Sequence, residues 1–229
     1  MRRWVHLLPL LAAAACSSLD EGEGGVVALE IQFPELQTIE VGEQVQLSAR
    51  ALDADGETVD ATILWRASDD ALSVDATGLV TAVGPGSSDV QAVVGSLTSE
   101  RVSFTVLAPA DTLIIVGDSV FVIPVGVDPP VTANLVVRLE SRSPAGPISS
   151  RPVIYEITQP VAGATPVVQL AGGVQSDTLT TLADGTVGVE LGLVTGQVPP
   201  DTAIVEVRAN RTRGSAVPGS GQRFIVLFQ

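Results

Sequence analysis

Residues 41–95 read VGEQVQLSARALDADGETVDATILWRASDDALSVDATGLVTAVGPGSSDVQAVVG, and the fold is decided there. Val45, Leu47, Ala49 and Ala51 alternate with Gln44, Gln46, Ser48 and Arg50. A period of two marks a strand with one buried face, because successive side chains leave a strand on opposite sides. Asp53-Ala54-Asp55-Gly56 then supplies a turn, with aspartates to bond their own backbone and a glycine for positive φ. Ile63 and Trp65 share a face of the next strand. Asp75-Ala76-Thr77-Gly78 turns into the apolar run 79–83, and Gly84-Pro85-Gly86 breaks the chain again. Short strands at regular spacing between such turns predict an all-β sandwich.

The same pattern continues outward. Val102, Phe104 and Val106 alternate in a strand that closes the first unit, and Ala108-Pro109-Ala110 forms a short joint stiffened by proline. Beyond it come Leu135, Val137 and Leu139; Val153, Tyr155 and Ile157; Val187, Val189, Leu191 and Leu193; Val205, Val207 and Ala209; and Phe224, Val226 and Phe228. Each set alternates with polar or small residues. The expectation is two tandem β-sandwich domains, residues 26–107 and 108–229, each near the roughly 100 residues such a sandwich needs.

Particular residues carry a resemblance. Val41-Gly42-Glu43 before the second strand, Trp65 in the third, and VDATGLVTAVGPG over residues 74–86 resemble the bacterial immunoglobulin-like group 2 family. That family writes Ser-Ser after its tryptophan, where this chain has Arg66-Ala67-Ser68-Asp69. In the second domain, PISSRPVIYEI, TLTTLADGTVGVELGL, AIVEVRA and RFIVLF resemble the invasin/intimin-type immunoglobulin-like domain, with a proline-led third strand and a Thr-x-x-Asp-Gly turn from Thr181 to Gly185. In an immunoglobulin sandwich the third-strand tryptophan packs in the core, so Trp65 is expected to be structural.

The N-terminus has the layout of a secretory signal peptide. Arg2 and Arg3 precede an apolar run over residues 4–15, which is well short of the ~20 residues of a membrane-spanning helix. The only cysteine, Cys16, follows Ala13-Ala14-Ala15, an arrangement that resembles the bacterial lipobox. The resemblance implies a signal peptide over residues 1–15, an acyl (palmitate-type) anchor on Cys16, and, from Ser17 in the next position, the outer membrane. Residues 16–25 then form a tether of small and acidic residues that cannot bury enough apolar surface to fold.

Composition narrows the chemistry. Without residues 1–15 the chain has no histidine, and no lysine occurs anywhere, so the commonest general base and the Schiff-base nucleophile are missing. The net charge of −14 becomes −16 without Arg2 and Arg3, a sign that repels phosphate backbones and argues against nucleic acid as a partner. The charge is uneven: residues 26–107 carry thirteen acids and three arginines, a net of −10, whereas residues 108–229 carry ten acids and seven arginines, a net of −3.

Three clusters are candidates for binding or chemistry. Asp53, Asp55, Glu57 and Asp60 have the start of a calcium loop but lack its terminal glutamate at the right spacing, which favours a solvated turn. Asp69, Asp70 and Asp75 offer paired carboxylates without the aromatics of a sugar cleft. Arg208, Arg211 and Arg213 sit near one strand end and offer guanidinium groups to a glycan or a partner carboxylate. The reading is a non-enzymatic envelope protein without a cofactor. Its partners are the membrane, through the lipid, and envelope proteins or glycans. Adhesion, or alternatively spacing, is its role, and a carbohydrate-active enzyme is the weakest alternative.

The anchor has a direct check. Cys16→Ser is expected to abolish metabolic lipid labelling and move the protein out of the membrane fraction. Membrane retention without label would count against the anchor.

Overall fold

The computed structural model describes residues 25–127, 131–161 and 165–229. The leader over residues 1–15 and the Cys16 anchor lie outside the described residues. Every regular element among those described is a β-strand, apart from short turns.

In the first domain the alternating segment 44–52 serves two sheets. Gln44–Gln46 pairs antiparallel with Leu79–Ala82, whereas Ser48–Leu52 pairs antiparallel with Ala28–Gln32. Leu47 is the crossing point, its N–H donating to Gly78 C=O at 3.0 Å. The predicted inward face holds through the crossing, with Val45, Leu47 and Ala51 buried and Gln44, Gln46, Ser48 and Arg50 exposed. A third sheet contains Gly86–Val94 between Leu97–Thr98 and Val102–Leu107, with Leu64–Ala67 also on Gly86–Val94. Thr38–Glu40 joins it in parallel on Val102–Leu107. Phe104, Ile39, Val80, Val90 and Leu47 make the centre of this core.

Trp65 packs against that core but is only partly buried. The indole sits at the margin of the sandwich rather than at its centre, which Phe104 occupies. Gly78 is the reason it fits. At φ +83° it brings the turn down onto the ring, and a methyl group there would lie 2.8 Å from Leu47 O and 2.8 Å from the indole carbons Cε2 and Cζ2.

The second domain is a sandwich of two five-stranded sheets. One orders Thr112–Ile115, Ala133–Arg142, Thr186–Leu193 and Val168–Leu170, with Ala145–Pro147 hairpinned onto Ala133–Arg142. The other orders Val120–Ile123, Gln222–Phe228, Thr202–Arg208, Pro152–Gln159 and Ser176–Thr180. The residues predicted to face inward are buried in all five sets, apart from Leu193, which is partly buried at a strand end. Tyr155 is fully buried on one sheet, and its hydroxyl donates to Val187 C=O of the other at 2.8 Å, so this buried polar group is satisfied. Burial raises the pKa of this phenol above its ordinary value.

Gly78→Ala is expected to destabilise the first domain by about 2–4 kcal/mol, through positive φ and the two close contacts. In a Trp65→Ala background the cost should fall, because one of the two contacts is gone. Thermal melts of the two single variants and the double variant measure the difference, and strictly additive costs would mean that the indole does not pack against Gly78.

Candidate functional site

Glu40 ends the strand Thr38–Glu40 and is fully buried. Ile39 points into the first core, so alternation turns Glu40 away from it and toward the second domain. There the carboxylate meets donors from three places. Oε1 accepts from Arg151 Nη2 at 2.7 Å and from Thr212 N–H at 3.1 Å. Oε2 accepts from Ala110 N–H of the linker at 3.0 Å, and Arg211 Nε lies 3.9 Å from it. Arg151 also donates to Ala108 C=O at 3.3 Å. Pro109 and Ala110 are buried, so the expected linker is packed into the joint.

The sequence signatures of both domains build this node. Val41-Gly42-Glu43 turns back on itself, with Glu43 N–H donating to Glu40 C=O at 2.9 Å. Glu43 Oε2 then accepts from Glu40 N–H at 2.8 Å and from Thr212 Oγ1 at 3.1 Å. On the other side, Thr181 of the Thr-x-x-Asp-Gly turn holds the backbone of Arg151. Its Oγ1 accepts from Arg151 N–H at 3.0 Å and donates to Ile148 C=O at 2.7 Å. Gly185, at φ +76°, closes that turn where a methyl group would lie 2.7 Å from Leu139 O. The two motifs that marked the domains in the sequence therefore also aim the acid and the arginine that join them.

The arginine candidates do not form one open patch. Arg208 pairs with Glu156 and, at 3.4 Å, with Glu206, which also holds Arg223 at 3.3 Å. Arg211 pairs with Asp111 at 2.9 Å and donates to Ala110 C=O at 3.2 Å. Arg213 is exposed and has no ion-pair partner among the described residues. The strand end carrying all three abuts the first domain, as the Thr212 contacts show, so none of them lies at the far end of the second domain.

Of the carboxylate candidates, Asp53, Asp69 and Asp75 are spent on turns, whereas the carboxylates of Asp55, Glu57, Asp60 and Asp70 accept no hydrogen bond among the described residues. Asp53 Oδ1 accepts from Asp55 N–H at 3.0 Å and Glu57 N–H at 2.9 Å. Asp75 Oδ1 accepts from Thr77 Oγ1, Thr77 N–H and Leu79 N–H at 2.7, 2.8 and 3.0 Å. Asp184 repeats this with Thr186. Asp69 Oδ1 takes Ala71 N–H at 2.9 Å. These bonds favour the charged form. The Ala71 N–H lowers the pKa of Asp69, and the threonine hydroxyls of Thr77 and Thr186 lower those of Asp75 and Asp184. A glycosidase acid needs the opposite shift. Asp60 makes no side-chain bond with the other three candidates of its turn, and no group of three or more acids, histidines or cysteines able to hold a metal occurs among the described residues.

Residues 33–106 match the profile of the bacterial Ig-like domain (group 2). The first domain is similar to that family over these residues. Val41-Gly42-Glu43, Trp65 and the turn at Gly78 all lie inside the match. Among solved structures, the FdeC adhesin of Escherichia coli aligns with 88% of this chain and 64% of its own, at 14% identity and a TM-score of 0.50. The Yersinia pseudotuberculosis adhesin InvE aligns with 91% of this chain and 61% of its own, at 17% identity and a TM-score of 0.42. The chain thus spans about three fifths of the length of these adhesins. At such identity the likeness to FdeC is one of fold alone. No curated protein sequence matches the chain.

Val41-Gly42-Glu43 and the Thr-x-x-Asp-Gly turn stand out in the sequence, whereas Glu40 and Arg151 do not. The available signal is a glutamate between Ile39 and Val41, at the end of a short strand and beside the Val41-Gly42-Glu43 turn. Its arginine, 111 positions away, carries no local mark.

Two predictions follow from this geometry. Glu40→Ala leaves Arg151 buried without its acid, a loss of about 3–5 kcal/mol. The joint should loosen, so that solution scattering reports a broader range of interdomain angles and a calorimetric scan splits into two transitions. An unchanged scattering profile would show that the node does not set the orientation. Separately, the turn aspartates have lowered folded-state pKa values. Their contribution is complete above the ordinary aspartate value of about 3.9 and is lost as pH falls through the lower folded values. Asp75→Asn should therefore flatten the acid limb of the stability profile and change its neutral limb less.

Proposed function

We propose that this chain is a non-catalytic lipoprotein of the bacterial cell envelope, anchored in the outer membrane through Cys16. Its two immunoglobulin-like domains form a stiff arm that displays a recognition surface on the second domain. The observation that carries the reading is the buried Glu40 node. A flexible tether of two domains needs no such joint, whereas an arm that must present one face at a set distance does. The acidic tether over residues 16–25 adds reach close to the membrane. The absence of histidine and lysine after residue 15 supports a role without catalysis. The fold shared with the FdeC adhesin is compatible with surface recognition.

A spacer in an envelope assembly is the second reading. The pairing of Arg208 and Arg211 with carboxylates favours it, because those guanidinium groups are already engaged.

The test is a binding screen of the mature chain against intact cells, envelope fractions and anionic glycans at two salt concentrations. Binding that is kept when Arg213→Gln is introduced places recognition elsewhere on the second domain. A salt-sensitive loss with Arg213→Gln alone would assign it to the strand end. Arg211→Gln is expected to lower the melting temperature, since its partner Asp111 would be left unpaired. The absence of binding under every condition would favour the spacer.

A further inference from the structure

The strand Val120–Ile123 is the outer edge of its sheet and pairs in parallel with Gln222–Phe228. Its inner side is fully used. Ile225 N–H donates to Ser119 C=O at 2.8 Å, Gln229 N–H to Ile123 C=O at 3.1 Å, and Val125 N–H to Gln229 C=O at 2.8 Å. Because backbone groups alternate in direction along a strand, those of Ser119, Phe121 and Ile123 face the sheet, and those of Val120 and Val122 face outward. Val120 and Val122 are 51% and 56% exposed as whole residues.

Folded proteins usually blunt such an edge with a charge, a bulge, a proline or a covering loop. Val120-Phe121-Val122-Ile123 carries no charge and no proline, and its register on Gln222–Phe228 is unbroken by a bulge. The apolar surface also continues onto the sheet. Val120 is in register with Ile225, which is in register with Ile204, and Val122 with Leu227. Pro124 follows in the outward phase with no N–H to donate, so the open edge is limited to Val120 and Val122.

We propose that this edge pairs antiparallel with the same edge of a second copy of the chain, joining copies held on opposed surfaces. The proposal rests on the adhesion reading above and names the partner for it. The geometry is self-complementary. With Phe121 opposite Phe121 of the copy, each Val120 faces a Val122, and the outward N–H and C=O groups of both form two hydrogen-bonded pairs. The valine side chains meet across the new pair and extend the apolar strip of Ile225, Leu227 and Ile204.

Charge selects the direction. Residues 26–107 carry a net of −10 and residues 108–229 a net of −3. The strand runs toward the end of the second domain that is remote from the joint, since Ile123 registers with Phe228 while Leu113, near the joint side, bonds Gln222. Antiparallel pairing therefore overlaps the two weakly charged second domains and sends the two strongly acidic first domains in opposite directions. Side-by-side pairing would bring the acidic domains together. With each chain anchored at its N-terminal end, the antiparallel pair spans two surfaces.

The interface is small, so a single pair is weak, and many pairs acting together give a firm contact. The test uses the chain without residues 1–15 and with Cys16→Ser, which has no other thiol. Sedimentation should show a concentration-dependent dimer. Val122→Lys and Val120→Lys, both at exposed positions, should weaken it at least tenfold with unchanged circular dichroism. Mixing a Val120→Cys chain with a Val122→Cys chain should give the mixed disulfide in preference to either homotypic one.

A chain that stays monomeric to about 1 mM, far above the weak affinity expected of so small an interface, would overturn the proposal. So would lysine variants that dimerise unchanged, or cross-links that are mainly homotypic. Beads coated with the chain should cluster, and beads coated with Val122→Lys should not. A mixed disulfide without bead clustering would support the strand pairing and count against the adhesion reading. Binding of the beads to cells by a chain that never dimerises would support adhesion and overturn the self-pairing.

Discussion

A carboxylate removed from water costs several kcal/mol unless its oxygens meet well-placed donors. Glu40 is fully buried, and every donor that satisfies it apart from its own neighbours comes from beyond residue 107. The first domain taken alone would leave this carboxylate facing solvent and Arg151 of the second would lose its acid. The interdomain orientation is therefore tied to a single ionic node, and the turns at Val41-Gly42-Glu43 and Thr181 exist in positions that hold its two halves. What reads in each domain as a turn of the fold also serves as half of the joint.

The rest of the charge is handled locally. Asp53, Asp69, Asp75 and Asp184 cap their own turns, which fixes the backbone of each short loop. On the second domain, Glu156, Arg208, Glu206 and Arg223 form a continuous row across neighbouring strands. Such exposed pairs add little stability each, but they leave that region of the sheet close to neutral on a chain whose net charge is −14.

The two domains treat the corresponding edge strand differently. Each places a short strand in parallel on the closing strand of its sheet, Thr38–Glu40 on Val102–Leu107 and Val120–Ile123 on Gln222–Phe228. In the first domain this strand ends in Glu40 and is sealed by the second domain. In the second domain the equivalent strand is apolar and uncovered. One edge is closed by the chain itself, and the other has no further strand beside it among the described residues.

Periodicity alone determined that the chain is all-β and which side chains face inward, because burying one face of a pleated strand requires alternation whatever the partner strand is. Phe104, Tyr155, Leu135 and Phe224 were legible for this reason, and the turns were legible because only aspartate and glycine meet their local demands. The departures lie where two distant segments decide. Segment 44–52 reads as one strand, yet serves two sheets, since pairing depends on what approaches each half. Trp65 reads as central, yet sits at the margin, where Gly78 closes over it. Arg208 and Arg211 read as an open basic spot, yet each lies beside a carboxylate that folding brings from elsewhere, Glu156 and Asp111. Glu40 and Arg151 carry no local signal at all, because a side chain's partner across an interface is fixed by the packing of whole domains and not by its neighbours in the chain.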